Sequence, residues 1–196
     1  MIFPAVLSAI AGSVAAAGPQ GVAFNKVTYG GLGCPQGTVS AIFAADRSSF
    51  TLLFDQYIAS AGPGVPVTES RKSCQIAADV SVPAGWSFSV ATVDYRGYVS
   101  LPPGGVAQQT SIYYFQGSQL QSQAGTTFRG PIAKDYLSSD AVKLEAVNWS
   151  VCNQNVPFNV KSQVRLSVPF GQSGQITTDS MDTKVEQIYG LLWRRC

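Results

Sequence analysis

Short strand-like segments recur along the whole chain, and their spacing constrains the fold more than any other feature of the sequence. Runs rich in valine, isoleucine, phenylalanine and tyrosine return about every 10 to 15 residues, between clusters of glycine, proline, asparagine and serine. No window carries a helical apolar stripe for more than about two turns. The predicted strands are Val22–Tyr29, Thr38–Ala44, Phe50–Tyr57, Cys74–Val82, Trp86–Leu101, Gly105–Phe115, Lys143–Val151, Phe158–Val168, Gly174–Ser180 and Gln187–Cys196.

Two of these segments alternate between an apolar and a more polar side, from Ile76 to Val82 and from Phe158 to Val168. Antiparallel sheets with one buried face and one solvated face show this pattern. We therefore expect an all-β fold, a single antiparallel β-sandwich of about ten strands that is jelly-roll-like in scale. The stretch from Gln116 to Ser139 is rich in glutamine, serine and glycine, and we predict a long connection or an irregular edge there.

The longest predicted strand, Trp86–Leu101, changes parity near its middle. Its apolar residues share one side up to Val90 and the other side from Val93 onward, so we predict a bulge or bend near Ala91–Thr92. Bulges re-aim side chains beside binding sites, but they also form plain sheet corners. After this bend, one face of the strand carries Asp94, Arg96 and Tyr98. These side chains form either a candidate binding face or a structural ion pair under a loop.

The first 17 residues are typical of a secretory signal peptide. An uncharged apolar run ends in three alanines, and cleavage after Ala17 would leave residues 18–196 as one β-sandwich domain. No lysine or arginine precedes the apolar run, so a buried strand or helix is the alternative. No later apolar segment approaches the roughly 20 residues that span a bilayer. We therefore expect a secreted, extracellular protein with no membrane partner.

The four cysteines are expected to form two disulfides, since an even number of cysteines in a secreted chain favours full pairing. Trp149 and Trp193 each precede a cysteine by three residues. If both rings point inward, the two cysteines that follow them share the outer face. Cys74 instead has the parity of the inward residues around it. The predicted pairs are Cys34–Cys74 and Cys152–Cys196.

Composition excludes several classes of function. Charged residues make up 12% of the chain and the net charge is +2, so there is no clustered basic footprint and we expect no nucleic-acid partner. The chain contains no histidine, which excludes Ser-His-Asp and Cys-His nucleophiles, histidine-ligated metals and imidazole acid–base chemistry.

An ordered set of short motifs carries a family resemblance. They are GCPQGTV at 33–39, FTLLFDQYIASAGPG at 50–64, RKSC at 71–74, PAGW at 83–86, DYRGY at 94–98, WSVC at 149–152 and WRRC at 193–196. Together they resemble the fungal secreted family catalogued as domain of unknown function 4360, over essentially the whole chain after the predicted signal peptide. The resemblance implies a small secreted fungal protein with the four cysteines at the family's positions. It implies no activity, although some members resemble candidate secreted effectors.

A carboxylate pair is the remaining catalytic possibility. Glycosidases of similar size use two carboxylates about 5 to 9 Å apart. Glu145 is the credible candidate here, with Asp94 as a partner that nothing in the sequence brings close. We expect no enzyme activity, no catalytic residues and no cofactor. The alternative to a protein without metal is a protein that binds a calcium ion through Asp179 and Asp182.

Two more features are candidates for the surface. Asn148 begins an N-glycosylation sequon, and its use would place Asn148 in solvent and turn Val147, Trp149 and Val151 inward. Tyr113 and Tyr114 precede Phe115, and at least one of the three should be exposed, where an aromatic ring can bind a sugar or a protein.

The sequence favours a non-enzymatic, effector-like binding protein whose partner is a cell-wall polysaccharide or a host extracellular protein. The alternatives are a glycoside hydrolase that uses Glu145 with a second carboxylate and a purely structural cell-wall protein. The sequence leaves the oligomeric state open.

Overall fold

Antiparallel β-strands supply nearly all of the regular structure. The computed structural model describes residues 17–141, 148–155, 157–178 and 185–196, with one short 3-10 helix at Val67–Ser70. The strands are β1 (Ala23–Gly30), β2 (Val39–Phe43), β3 (Ser49–Phe54), β4 (Ile58–Ala61), β5 (Arg71–Ser81), β6 (Trp86–Leu101), β7 (Val106–Phe115), β8 (Ser122–Arg129), β9 (Ile132–Ala141), β10 (Phe158–Ser167), β11 (Gly174–Thr177) and β12 (Val185–Arg195).

The strands form two sheets that pack face to face. The five-stranded sheet has the order β1-β5-β10-β7-β8, and the seven-stranded sheet has the order β2-β3-β12-β6-β11-β4, with β9 also paired to β6. Every pairing is antiparallel. The expected antiparallel β-sandwich is confirmed.

Strand β6 runs the full length of the sandwich and defines two poles. At its start Trp86 lies opposite Arg195, and near its end Ser100 lies opposite Gln175. We call these ends the terminal pole and the loop pole. Gly18 lies at the terminal pole, since a Cβ built on it would be 2.6 Å from Nε1 of Trp193.

The predicted irregularity in β6 is confirmed as a β-bulge. Thr92 pairs with Gly190 and Val90 pairs with Leu191, so Ala91 is left as the extra residue. Because the extra residue switches the parity of the strand, the apolar side chains on both sides of it reach the core.

Of the two alternatives predicted for Gln116–Ser139, the long connection was wrong, whereas an edge is present, because β8 is the last strand of the five-stranded sheet. This stretch contains β8 and most of β9, which pair with β7 and β6 respectively. Strand β4 was also missed. Of the predicted strand Lys143–Val151, residues 143–147 lie outside the described residues, and Ser150 bonds to the β6 backbone at Phe88 without forming a strand.

Both predicted disulfides are present. Cys34 pairs with Cys74 and Cys152 pairs with Cys196, with Cα–Cα distances of 5.5 and 6.0 Å. The inward parity of Cys74 is confirmed by its burial. Each bond closes a loop of about 40 residues, for which chain entropy predicts roughly 4 kcal/mol of stabilisation. The second bond ties the end of β12 to the segment that lies beside the start of β6.

Aromatic rings fill the core towards the terminal pole, and we call this part the aromatic layer. Phe158 of β10 is at its centre, because its ring contacts five others. Those five are Phe50, Phe88, Tyr113, Phe115 and Tyr189. Phe24 and Phe43 extend the layer to the edge where β1 meets β2, with their ring centroids 4.2 Å apart.

A layer of buried polar side chains, only some of which are hydrogen-bonded to one another, occupies the middle of the sandwich and is called the polar layer. Its buried members are Tyr57, Tyr95, Gln109, Ser111, Tyr136, Ser162 and Gln187. Gln187 lies at its centre, because its Oε1 accepts a 2.8 Å hydrogen bond from the Tyr189 hydroxyl and its Nε2 donates a 3.1 Å bond to Ser162. Beyond this layer, aliphatic side chains such as Val99 and Leu166 close the core towards the loop pole.

Gly97 makes room for part of the polar layer. The Tyr136 hydroxyl donates a 2.8 Å hydrogen bond to the carbonyl oxygen of Thr177. A Cβ at Gly97 would be 2.2 Å from that carbonyl oxygen and 2.8 Å from the hydroxyl. Any side chain here would displace the backbone of β11 or the tyrosine, so the site requires glycine.

Candidate functional site

The bulge in β6 directs Asp94, Arg96 and Tyr98 to the outer face of the seven-stranded sheet, because the alternate residues of the strand are buried. Arg96 is exposed, and the other two are half-buried. Their neighbours on β9 are Ser139, Leu137 and Asp135 respectively. These three predicted residues therefore do lie on one outer surface, and an exposed leucine lies beside the arginine.

The two tyrosines predicted for the same candidate face lie on opposite sides of the five-stranded sheet. Tyr113 is 3% exposed and belongs to the core, where burial raises its pKa to about 12. Tyr114 is on the outer face, where the Lys161 ammonium lies 5.3 Å from its ring centroid. The five predicted residues therefore do not form one site, since Tyr113 is in the interior and Tyr114 is across the sandwich from Asp94.

The outer face of the five-stranded sheet carries rows of polar side chains that run across the strands, and we call it the five-stranded face. One row consists of Gln75, Lys161, Ile112 and Gln123, and the next consists of Ser73, Gln163 and Thr110. The two rows border a depression of about 410 Å³ between β5 and β7. A second depression of about 390 Å³ shares Thr110 and continues towards β8.

These rows are suited to binding a neutral, hydroxyl-rich ligand. Amide side chains both donate and accept hydrogen bonds, as sugar hydroxyls do. The Tyr114 ring lies in the row next to Lys161 and adds an aromatic surface. Alternation in the sequence puts Lys161, Gln163 and Arg165 on the polar side of β10. It does not mark them as a site, because polar outward residues are common on any sheet.

Two arginine–tryptophan pairs lie at the terminal pole. The Arg194 guanidinium lies 4.2 Å from the Trp149 ring centroid, and that of Arg195 lies 4.1 Å from that of Trp86. Arg194 and Arg195 are consecutive on β12, so they point to opposite faces of the sheet. These contacts cover the rings of half-buried tryptophans beside the second disulfide.

The sequon at Asn148 has the opposite orientation from the one expected. Asn148 is 7% exposed, and its Nδ2 donates a 2.8 Å hydrogen bond to the carbonyl oxygen of Leu120. Val151, predicted to point inward, is 49% exposed, and Trp149 is half-buried under Arg194. The nitrogen that would carry a glycan is therefore engaged inside the fold, and glycosylation itself stays a prediction.

Of the candidate acidic residues, only Asp94 belongs to the described part of the chain. Glu145, Asp179 and Asp182 lie outside the described residues, as does the predicted signal peptide up to residue 16. Among the described residues, no three histidine, cysteine, aspartate or glutamate side chains come together as a group that could hold a metal ion. No helix in the described part of the chain is long and apolar enough to cross a bilayer.

A cleft at the loop pole was missed by the sequence analysis. It is formed by the segments 61–70 and 166–172 and has a volume of about 560 Å³. Phe170, on its rim, is fully exposed. Its position in a tight turn after Val168-Pro169 is the sequence signal for this feature, because a large apolar residue at a turn tip cannot join the core.

Comparison with known proteins gives the relationships of the chain. An uncharacterized secreted protein of Arthroderma benhamiae is 45% identical over 179 residues, which are 91% of this chain and 73% of the relative. A solved structure titled "Structure of PfGH50B" shares 9% identity, with 87% of this chain and 23% of that chain covered, at a TM-score of 0.26. A likeness at that TM-score carries no argument about fold or activity.

The family model described as Domain of unknown function (DUF4360) matches residues 20–196. The match covers all twelve strands and all four cysteines. Both the family match and the secreted relative agree with the resemblance that the motifs of the sequence carry. The chain belongs to the family of domains of unknown function called DUF4360.

Proposed function

We propose that this chain is a non-enzymatic secreted protein that binds a neutral cell-wall polysaccharide on the five-stranded face. Secretion would follow cleavage of the signal peptide after Ala17, in agreement with the secreted relative and the two disulfides. The observation that carries the proposal is the pair of polar rows across β5, β10 and β7, with the Tyr114 ring beside them.

The depression between β5 and β7 presents amide side chains that suit the hydroxyl groups of a polysaccharide. Gln75 is exposed and Gln163 is half-buried, so both present amides to the same 410 Å³ depression. The Lys161 ammonium lies 5.3 Å from the Tyr114 ring centroid, a cation–π contact that orients both side chains beside the depression. Successive strands are about 4.8 Å apart, so a row that crosses four strands spans roughly 14 Å, enough for several sugar units.

The test is depletion of the disulfide-intact protein by insoluble chitin, cellulose and β-glucan, with released reducing sugar measured in parallel. We expect depletion by at least one polymer and no sugar release. Tyr114→Ala and Gln75→Ala should each weaken depletion by about tenfold, which corresponds to about 1.4 kcal/mol. The matched control is Tyr98→Ala, which removes a half-buried tyrosine from the outer face of the other sheet and should leave depletion unchanged.

Each alternative has a distinct outcome. If Tyr98→Ala abolishes depletion and Tyr114→Ala does not, the binding face is the one that carries Asp94 and Arg96. If the protein releases sugar and Glu145→Gln abolishes that release, the protein is a glycosidase instead. If no polymer depletes the protein, the polysaccharide proposal is wrong, and a host protein or a purely structural role takes its place.

A further inference from the structure

The cleft at the loop pole has apolar walls that the fold holds open. Its walls are built largely from Pro63, Val65, Pro66, Val67, Pro169 and Phe170. Val67 is 85% exposed and Phe170 is 106% exposed, so large apolar surfaces face water here. Contiguous exposed apolar surfaces mark interaction sites in many proteins. The cleft volume of about 560 Å³ lies within the range of roughly 300 to 1,000 Å³ that is typical of small-molecule sites.

Both walls of the cleft are locally rigid. On one side, the 3-10 turn is closed by a 2.9 Å hydrogen bond from the Glu69 amide to the Pro66 carbonyl oxygen. On the other side, the Gln172 amide donates a 3.0 Å bond to the Pro169 carbonyl oxygen. Prolines in both segments restrict the backbone further. A cleft braced by such local contacts needs less ordering when a ligand binds, which lowers the entropic cost of binding.

The apolar cleft continues into a basic one. A neighbouring depression of about 420 Å³ shares Ser70, Leu166 and Ser167 with it and is lined by Arg71 and Arg165. These two arginines lie directly opposite each other on β5 and β10. Like charges in that position destabilise a sheet, so their pairing calls for a function or a counter-charge.

The described residues supply only neutral partners for these guanidinium groups. Nε of Arg71 donates a 2.9 Å hydrogen bond to Oε1 of Gln163, and Nε of Arg165 donates a 2.7 Å bond to Oε1 of Gln108. The ion pair found among those residues joins Lys72 to Glu69 and includes neither arginine. These two bonds use only Nε of each guanidinium, so the terminal N–H groups can donate to an anion while the amides fix the orientation of the side chain.

We propose that this composite cleft binds a free medium-chain fatty acid such as dodecanoate, with the carboxylate on Arg71 and Arg165 and the acyl chain between Val67 and Phe170. Charge complementarity selects the anionic head, because a guanidinium binds a carboxylate through two parallel hydrogen bonds. The apolar walls select the chain. The site lies at the loop-pole end of the five-stranded face, and Gln163, which orients Arg71, also borders the depression proposed for the polysaccharide.

The test is a calorimetric titration of the disulfide-intact protein with dodecanoate at low salt. We expect saturable binding at one site, with butanoate and dodecanol each at least about tenfold weaker because each lacks one of the two recognised parts. Arg165→Gln and Phe170→Ala should each weaken dodecanoate about tenfold. Both side chains are exposed, so the variants should fold, and an unchanged urea midpoint verifies this. Arg194→Gln, at the terminal pole, is the matched control and should bind normally.

Three outcomes would overturn the proposal. Equal affinity for dodecanoate and dodecanol would show that the arginines do not take part. Full affinity in Phe170→Ala would place the ligand elsewhere. Binding to vesicles that contain phosphatidylserine, without binding to dodecanoate, would assign the patch to a membrane surface. Because Phe170→Ala leaves the five-stranded face intact, depletion by polysaccharide in this variant separates failure of this site from failure of the proposed function.

Discussion

The aromatic and polar layers of the core lie between the same two sheets, yet they stabilise the fold in different ways. Phe158, at the centre of the aromatic layer, is 2% exposed and contacts five rings, so its contribution is area removed from water. Gln187, at the centre of the polar layer, is 0% exposed and is favourable only while its amide is hydrogen-bonded. The first layer tolerates small shifts, whereas the second requires fixed geometry.

The largest effect is expected from the aromatic layer. Phe158→Ala removes the ring that joins both sheets and should lower the free energy of unfolding by about 3 to 5 kcal/mol. Urea unfolding with the disulfides intact measures this. Phe170→Ala is the control, because that ring is fully exposed and its loss should change the midpoint very little. If Phe158→Ala lowers the free energy of unfolding by less than a polar-layer variant does, the comparison between the two layers is reversed.

The geometric demand of the polar layer is tested at Gly97. Gly97→Ala should cost about 1 to 3 kcal/mol, since its Cβ would lie 2.2 Å from the Thr177 carbonyl oxygen. Gly30→Ala provides the comparison, because a Cβ there meets no atom within 4 Å. Unfolding curves of the two variants should differ, and equal curves would show that β11 moves away without cost.

High pH should act on the polar layer. Burial raises the pKa of Tyr57, Tyr95 and Tyr136 above the ordinary value of 10.0. The folded state therefore keeps protons that the unfolded chain releases above pH 10, so stability is complete below pH 10 and falls as pH rises. Each such proton corresponds to about 1.4 kcal/mol per pH unit. Urea midpoints from pH 8 to 11 measure the fall, and Tyr95→Phe should reduce its slope.

The smallest effect separates a tyrosine hydroxyl that bonds to the polar layer from an unsatisfied one within it. The Tyr189 hydroxyl donates to Gln187, so Tyr189→Phe should cost about 0.5 to 1.5 kcal/mol at neutral pH. Among the described residues the Tyr95 hydroxyl has no hydrogen-bond partner, so Tyr95→Phe should be neutral or slightly stabilising. Chemical unfolding of the two variants provides the measurement. A larger loss in Tyr95→Phe would show that a water molecule or a moved side chain satisfies that hydroxyl.

The sequence could predict those parts of the fold in which burial and alternation agree. Strands β5 and β10 alternate cleanly, and the parity change in β6 located the bulge at Ala91 because apolar residues lie on both sides of it. Cys74 could be paired because its neighbours Ile76 and Ala78 are apolar in the same phase.

The rest was hidden where polar residues face inward. Strand β8 places Ser122 and Ala124 inward, and small or polar residues on both faces leave no alternation to detect. Tyr113 follows inward Gln109 and Ser111, so its burial was not apparent from the residues before it. Because such inward polar residues hide which side of a strand is buried, the predicted binding face combined aromatic residues that lie on two different sheets. Which residues meet across strands depends on register, and the sequence did not show that Arg71 lies opposite Arg165.

The location of Gly18 against Trp193 has a practical consequence for attachment. The Gly18 amide donates a 2.8 Å hydrogen bond to the Asp46 carbonyl oxygen, and the Cys152–Cys196 bond lies at the same pole. Strand β6 spans 16 residues between the poles, or roughly 50 Å. A tag, bead or cell-wall anchor joined near residue 18 or Cys196 would therefore hold the molecule by one end, with the loop-pole cleft directed outward and the five-stranded face along the side.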